Sequence, residues 1–235
     1  MQSAPDLWQQ IFGDQTRPPE PVILVTLAVA AVVVVVNGFW RPARNVITIV
    51  HEAGHALVAV LVGRRLSGIR LHSDTSGVTV SRGRPDGPGM VCTALAGYVA
   101  PSLLGLGFAA FLQTDRVSAL LMSCAVLLFG VLIMIRNAYG VLTLVATGGV
   151  LFAVSWFATD TVQAAFAYLI TWFLLLGGIR PIGELQTKRR RGQARDSDAD
   201  QLARLTGAPG FFWVGSFGLI NLGALVIAAG WLLLG

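Results

Sequence analysis

The sequence predicts an all-α polytopic membrane protein, with about seven transmembrane helices and one short β-hairpin at the cytoplasmic membrane surface. Composition points there first: 54% of the 235 residues are hydrophobic, only 12% are charged, and mean hydropathy is +0.70. Water-soluble domains carry nearer ~25% charge, so a soluble globule is excluded. Second, apolar stretches long enough to cross ~30 Å of hydrocarbon recur along the whole chain. Third, one segment between them, Leu66 to Arg82, has the period-two alternation of strands instead.

Met1 to Pro21 is a polar segment holding Asp6, Asp14 and Glu20. It lacks the basic stretch leading directly into an apolar core that marks a cleaved signal peptide, so the first apolar run is expected to stay as an anchor. Residues 22–235 then read as one transmembrane domain. Its candidate spans are Val22 to Phe39, Val46 to Val62, Met90 to Leu112, Val117 to Ile135, Gly140 to Ala158, Thr161 to Ile179 and Phe211 to Leu234. The links Gln113 to Arg116 and Thr159 to Asp160 are short enough for tight helical hairpins.

Within residues 66–82, Ile69, Leu71, Val78 and Val80 alternate with polar neighbours around the turn residues Ser73 to Gly77, which predicts the β-hairpin. An open edge of that hairpin can add a substrate strand by backbone hydrogen bonding. Arg82 to Gly89 reads as a connector, and Ala96, Gly97 and Pro101 give the third span a closely packing, bendable face. Residues 180–210 form the longest polar stretch, a cytoplasmic loop with the basic run Lys188 to Arg191 followed by Asp196, Asp198 and Asp200.

Seven crossings with a cytoplasmic N-terminus leave only Arg41, Arg44 and Arg116 on the outer side, as the excess of Lys and Arg on cytoplasmic loops requires. The formal charge of +5 therefore points to anionic lipid headgroups. Nucleic acid is not expected as a partner, because the arginines lack interleaved aromatics. Cys92 and Cys124 have no clustered spacing and read as small buried hydrophobes.

The chemistry concentrates in Val46 to Val62, where His51, Glu52 and His55 interrupt an apolar run. Ionisable groups in such surroundings are costly unless they are used. Residues i and i+4 share a helix face, so the two histidines can hold one zinc ion while Glu52 reaches its water, the logic of H-E-x-x-H spacing. On a crossing helix, His55 would lie about seven residues, ~10 Å, from the cytoplasmic end, reached through a polar cavity. Catalytic zinc normally has three protein ligands. Asp74, Asp86, Glu184, Asp196, Asp198, Asp200 and His72 lie on the metal's side of the membrane, and the acidic cluster before the last span is the nearest supply. Arg136 and Asn137, at the cytoplasmic end of the fourth span, are expected either to cap helices or to touch substrate, the oxyanion or a ligand histidine.

These features resemble the site-2 protease family of intramembrane zinc metallopeptidases, in a compact actinobacterial-type branch. The resemblance rests on His51-Glu52-Ala53-Gly54-His55, the β-like Ser67 to Ser81, the span around Ala96 to Pro101, and the Ser197-Asp198-Ala199 triplet. It implies zinc held by His51, His55 and a later aspartate, here Asp198 with Asp200 and Glu184 as alternatives, and Glu52 as general base and acid. The implied substrate is a membrane-spanning segment of another protein, as in regulated intramembrane proteolysis. Better-known members place the third ligand in an Asn-Pro…Asp-Gly pattern, whereas here Asn137 is followed by Ala138-Tyr139-Gly140. That departure keeps open a noncatalytic scaffold of the same fold, and histidines and carboxylates in spans also admit a metal or proton transporter.

Overall fold

The computed structural model describes residues 17–194 and 196–234, so most of the N-terminal polar segment, and Arg195, lie outside it. In chain order the elements are α1 (Glu20–Val35), α2 (Asn37–Leu61), β1 (Arg65–Leu71), β2 (Gly77–Arg82), α3 (Pro88–Gln113), α4 (Val117–Met134), α5 (Ala138–Phe157), α6 (Asp160–Arg190), α7 (Asp198–Thr206) and α8 (Gly210–Leu234). The architecture is the expected polytopic helical one with a hairpin.

Five helices, α3, α4, α5, α6 and α8, are each long and apolar enough to cross a membrane, and α1 with α2 makes a sixth candidate bent by 98°. The bend is at Val36, whose extended backbone (φ −80°, ψ 116°) ends one helix and starts the next. Breaking a helix exposes carbonyls that lipid cannot satisfy. Arg180 of α6 supplies the donors: its guanidinium bonds the carbonyls of Val34 and Val35 and the side chain of Asn37, and lies 4.8 Å over the Trp40 ring.

Neighbours along each helix give the direction of crossing. Val25, Thr26 and Val29 share a cavity wall with Val162, Ala165 and Phe166, while Val34 and Val35 line another with Ile179 and Arg180, so α1 runs parallel to α6. On α3, Ala94 packs in one cluster with Leu185, and Ser102 donates to the Leu175 carbonyl, so α3 and α6 are antiparallel. Both ends of α2 therefore sit at one end of the bundle: Trp40 donates to Glu184, and Val62 lies beside Gly89.

The second apolar stretch consequently does not run from one end of the bundle to the other, and the described residues offer up to six candidate crossings, close to the seven expected. Val46 to Val62 meets the length criterion, but its helix is amphipathic and lies across the bundle rather than through it. Glu20 and the hairpin are thus at opposite ends, against the expectation that shared one side between them. Arg41 and Arg44 move to the hairpin end and Arg17 away from it. Among the described residues only Arg17 and Arg116 of all Lys and Arg remain at the other end.

The hairpin forms where the alternation predicts, β1 antiparallel to β2, with an irregularity between Leu66 and Gly68. It folds back over α2: the Thr48 hydroxyl donates to the Thr75 carbonyl at its turn. Its other edge is closed by the α4–α5 link. Arg136 N donates to the Ile69 carbonyl, and the Asn137 amide both donates to the Leu71 carbonyl (2.7 Å) and accepts from its N–H (3.2 Å), as a neighbouring strand would. The stretch 180–210 is less of a loop than expected. α6 continues past Pro181 to Arg190, because Gly183 to Arg190 contains mostly helix formers and the basic residues favour a helix C-terminus. Buried Trp172, Tyr168, Leu174, Leu175 and Phe108 centre the main core, which α6 runs through. Cys92 is exposed, against the burial expected for it, and Cys124 is half-buried; neither forms a disulfide.

Candidate metal centre

α2 presents His51 and His55 one turn apart, and their Nε2 atoms are 3.1 Å from each other. Asp198, the first residue of α7, brings Oδ2 to 3.3 Å from His51 Nε2 and 3.2 Å from His55 Nε2. Among the described residues these three form a group able to hold a metal ion. Tetrahedral ligands about 2.0–2.1 Å from zinc stand roughly 3.3 Å apart, so the spacing fits that ion.

The surroundings fix which atoms face inward. His55 Nδ1 meets the Thr93 carbonyl at 2.7 Å, so this nitrogen carries the proton and Nε2 is left as donor to a metal. The Tyr98 ring stands edge-on to His51 with centroids 4.8 Å apart, and is itself stacked on Phe217. Gly97, one turn after Thr93 on α3, completes the cradle. A Cβ there would lie 2.7 Å from His51 Nε2 and closer still to His55 Nε2, so any other residue would intrude on the space the donors enclose. Burial pushes the Asp198 carboxyl up, but His55 and His51 beside it outweigh that and hold it below the usual carboxylate range. The three side chains retain 21%, 11% and 18% exposure for His51, His55 and Asp198, so the site is recessed yet open.

Glu52 is 4% exposed and tucked beneath the hairpin. The Thr79 hydroxyl of β2 reaches its Oε2 at 2.6 Å and its backbone carbonyl at 3.0 Å. This carboxylate is thus held by the strand expected to lie near substrate.

The other sequence candidates are engaged elsewhere. Glu184 pairs with Arg44 at 3.1 Å and Arg180 at 3.2 Å and accepts from Trp40. Asp200 pairs with Arg189. His72 and Asp74 lie at the hairpin turn, where the Ser76 hydroxyl and N–H both donate to Asp74 Oδ1 and lower its pKa. Asp86 is next to Arg84, and Asp196 next to Arg204. The Arg136 guanidinium donates to the carbonyls of Ile133 and Ile135 at the end of α4, and the Asn137 amide bonds the Leu71 backbone of β1. Thr79, Thr93 and Tyr98 carry no spacing signal that singles them out, since each acts through a contact made in three dimensions. Gly97 is visible in sequence only as a small residue in a packed span.

With α2 lying across the bundle, the ~10 Å depth expected for the metal is no longer counted along that helix. It is set by α3, whose Thr93 and Gly97 lie about 8–14 Å along the helix from Pro88 at 1.5 Å per residue. No curated protein and no solved structure matches the chain. A family model described as Peptidase M50B-like does match, over residues 24–228. Because that match runs from within α1 into α8 and includes both the histidine helix and Asp198, the chain belongs to the Peptidase M50B-like family.

Proposed function

We propose that the chain is an intramembrane zinc metalloendopeptidase that hydrolyses a peptide bond in or near a transmembrane segment of another membrane protein. The observation that carries this reading is the convergence of His51, His55 and Asp198 at 3.1–3.3 Å beside a buried Glu52. Zinc bound by those three side chains would polarise the scissile carbonyl and make water acidic enough to attack near neutral pH. Glu52, whose Oε2 accepts from the Thr79 hydroxyl, would take the proton from the attacking water and return it to the leaving amide nitrogen. Two histidines and a carboxylate with one position left for water is a catalytic donor set rather than a closed structural one.

A peptide bond inside a helix is shielded and must be extended before attack. Ile135 to Asn137 lie along β1, leaving β2 as the edge to which a substrate strand would add, with Thr79 already against Glu52 and Val78 and Val80 42% and 45% exposed. The proposed environment is the cell membrane, with the arginine-rich hairpin end in the cytosol against anionic headgroups and the N-terminus outside. A reporter active only in the cytosol, fused ahead of α1, is then expected to be silent, and full activity would refute this orientation.

Cleavage of a panel of single-span reporter proteins by the purified chain tests the function itself. Loss of product on treatment with a zinc chelator and its return with added zinc are expected. Cleavage that persists in metal-free protein would overturn the reading.

A further inference from the structure

The basic run Lys188 to Arg191 ends α6 at the membrane surface, where such runs usually meet lipid headgroups. Lys188, Arg190 and Arg191 are exposed, but Arg189 is turned inward and keeps only 19% side-chain exposure. Its guanidinium bonds Asp200 and lies 3.5 Å from Ser197 Oγ. It also lies against the Gly210 Cα at the start of α8, in space that any side chain at position 210 would fill. One cation thus ties together the end of α6, the first turn of α7 and the start of α8.

That first turn contains Asp198. Ser197 caps α7, accepting from the Asp200 N–H at 3.4 Å and donating to Asp200 Oδ2 at 2.7 Å. Asp198 stands between these two bonded residues, so the contacts that hold Ser197 and Asp200 also set where its carboxylate points. Otherwise α7 is a nine-residue helix docked mainly by Ala199 and Leu202, both fully buried. Those two apolar side chains anchor one face of the helix in the cluster with Ala94, Leu185 and Phe217. The charged clasp adds a restraint at its N-terminal end.

We infer that Arg189 is a positioning residue for the metal centre: by clasping Asp200 and Ser197 it holds the Asp198 carboxylate within reach of both histidines. The inference rests on the proposed zinc site and predicts that metal affinity depends on a side chain that never touches the metal.

The test is zinc affinity, with the visible spectrum of the cobalt-substituted protein, in Arg189→Gln, Arg189→Lys and Asp200→Asn, with Arg190→Gln as the exposed neighbour. About a 10- to 100-fold weaker affinity is expected for Arg189→Gln, the range for partners that orient ligands. The cobalt absorption is expected to lose intensity as Asp198 disengages. Arg189→Lys should recover part of both, and Arg190→Gln should match the parent. Should Arg189→Gln fail to accumulate as folded protein, Asp200→Asn carries the same test, since it removes the charge and keeps the side-chain shape. Unchanged affinity and spectrum in Arg189→Gln and Asp200→Asn would overturn the inference alone. Absence of stoichiometric zinc from the parent, or its retention in His51→Ala, would instead overturn the site reading beneath it.

Discussion

Glu52→Gln is expected to reduce reporter cleavage by about 10²- to 10⁴-fold, the span attributed to a positioned general base, while leaving zinc content unchanged. The amide keeps the shape of the carboxylate, and its oxygen can still accept from the Thr79 hydroxyl that reaches Glu52 at 2.6 Å. What disappears is the ability to take a proton from water and return it to nitrogen. The loss belongs in kcat, because the substrate strand and metal would bind as before. Cleavage equal to that of the parent would exclude Glu52 as the base.

Asp198→Ala is expected to lose zinc altogether on purification, with affinity down by more than the ~100-fold that loss of an orienting partner costs. It removes a donor atom 3.2–3.3 Å from both histidine nitrogens, together with the negative charge that favours a cation there. Glu184→Gln makes the contrast. Its carboxylate is committed to Arg44, Arg180 and Trp40 around the α1–α2 bend, so zinc should remain. Metal analysis of the two purified variants checks both, and full zinc in Asp198→Ala would remove that residue from the proposed ligand set.

The helices were legible because crossing hydrocarbon demands a run of apolar residues that few other structures need. Boundaries of α3, α4, α5 and α8 fall within a few residues of those runs. The hairpin was legible from alternation, and the histidine pair from the four-residue repeat of one helix face. The course of α2 was not. Its break falls among Val32 to Val36, with no proline at the bend, and is secured by an arginine some 145 positions later in the chain. Hydropathy cannot register a partner so distant, and reading that element as a crossing put the start of α1 and the hairpin at the same end of the bundle. Asp198 was reached through the family resemblance and not from local pattern, because nothing near Ser197 indicates that α7 packs on α3 and α8 with its first residue beside the histidines. Asn137 was noticed as polar, but its role as a substitute strand beside Leu71 exists only once the chain has folded.

The 98° turn also changes how the histidines relate to the bilayer. Along an upright helix, residues four apart differ in depth by about 6 Å. On a helix laid nearly at right angles to its upright neighbours, depth depends on which face a residue occupies, and residues of one face share a level. His51 and His55 are therefore displaced from one another across the axis of α1 instead of along it. A thinner or thicker bilayer would be absorbed by tilting of the crossing helices, leaving the two histidines level with each other.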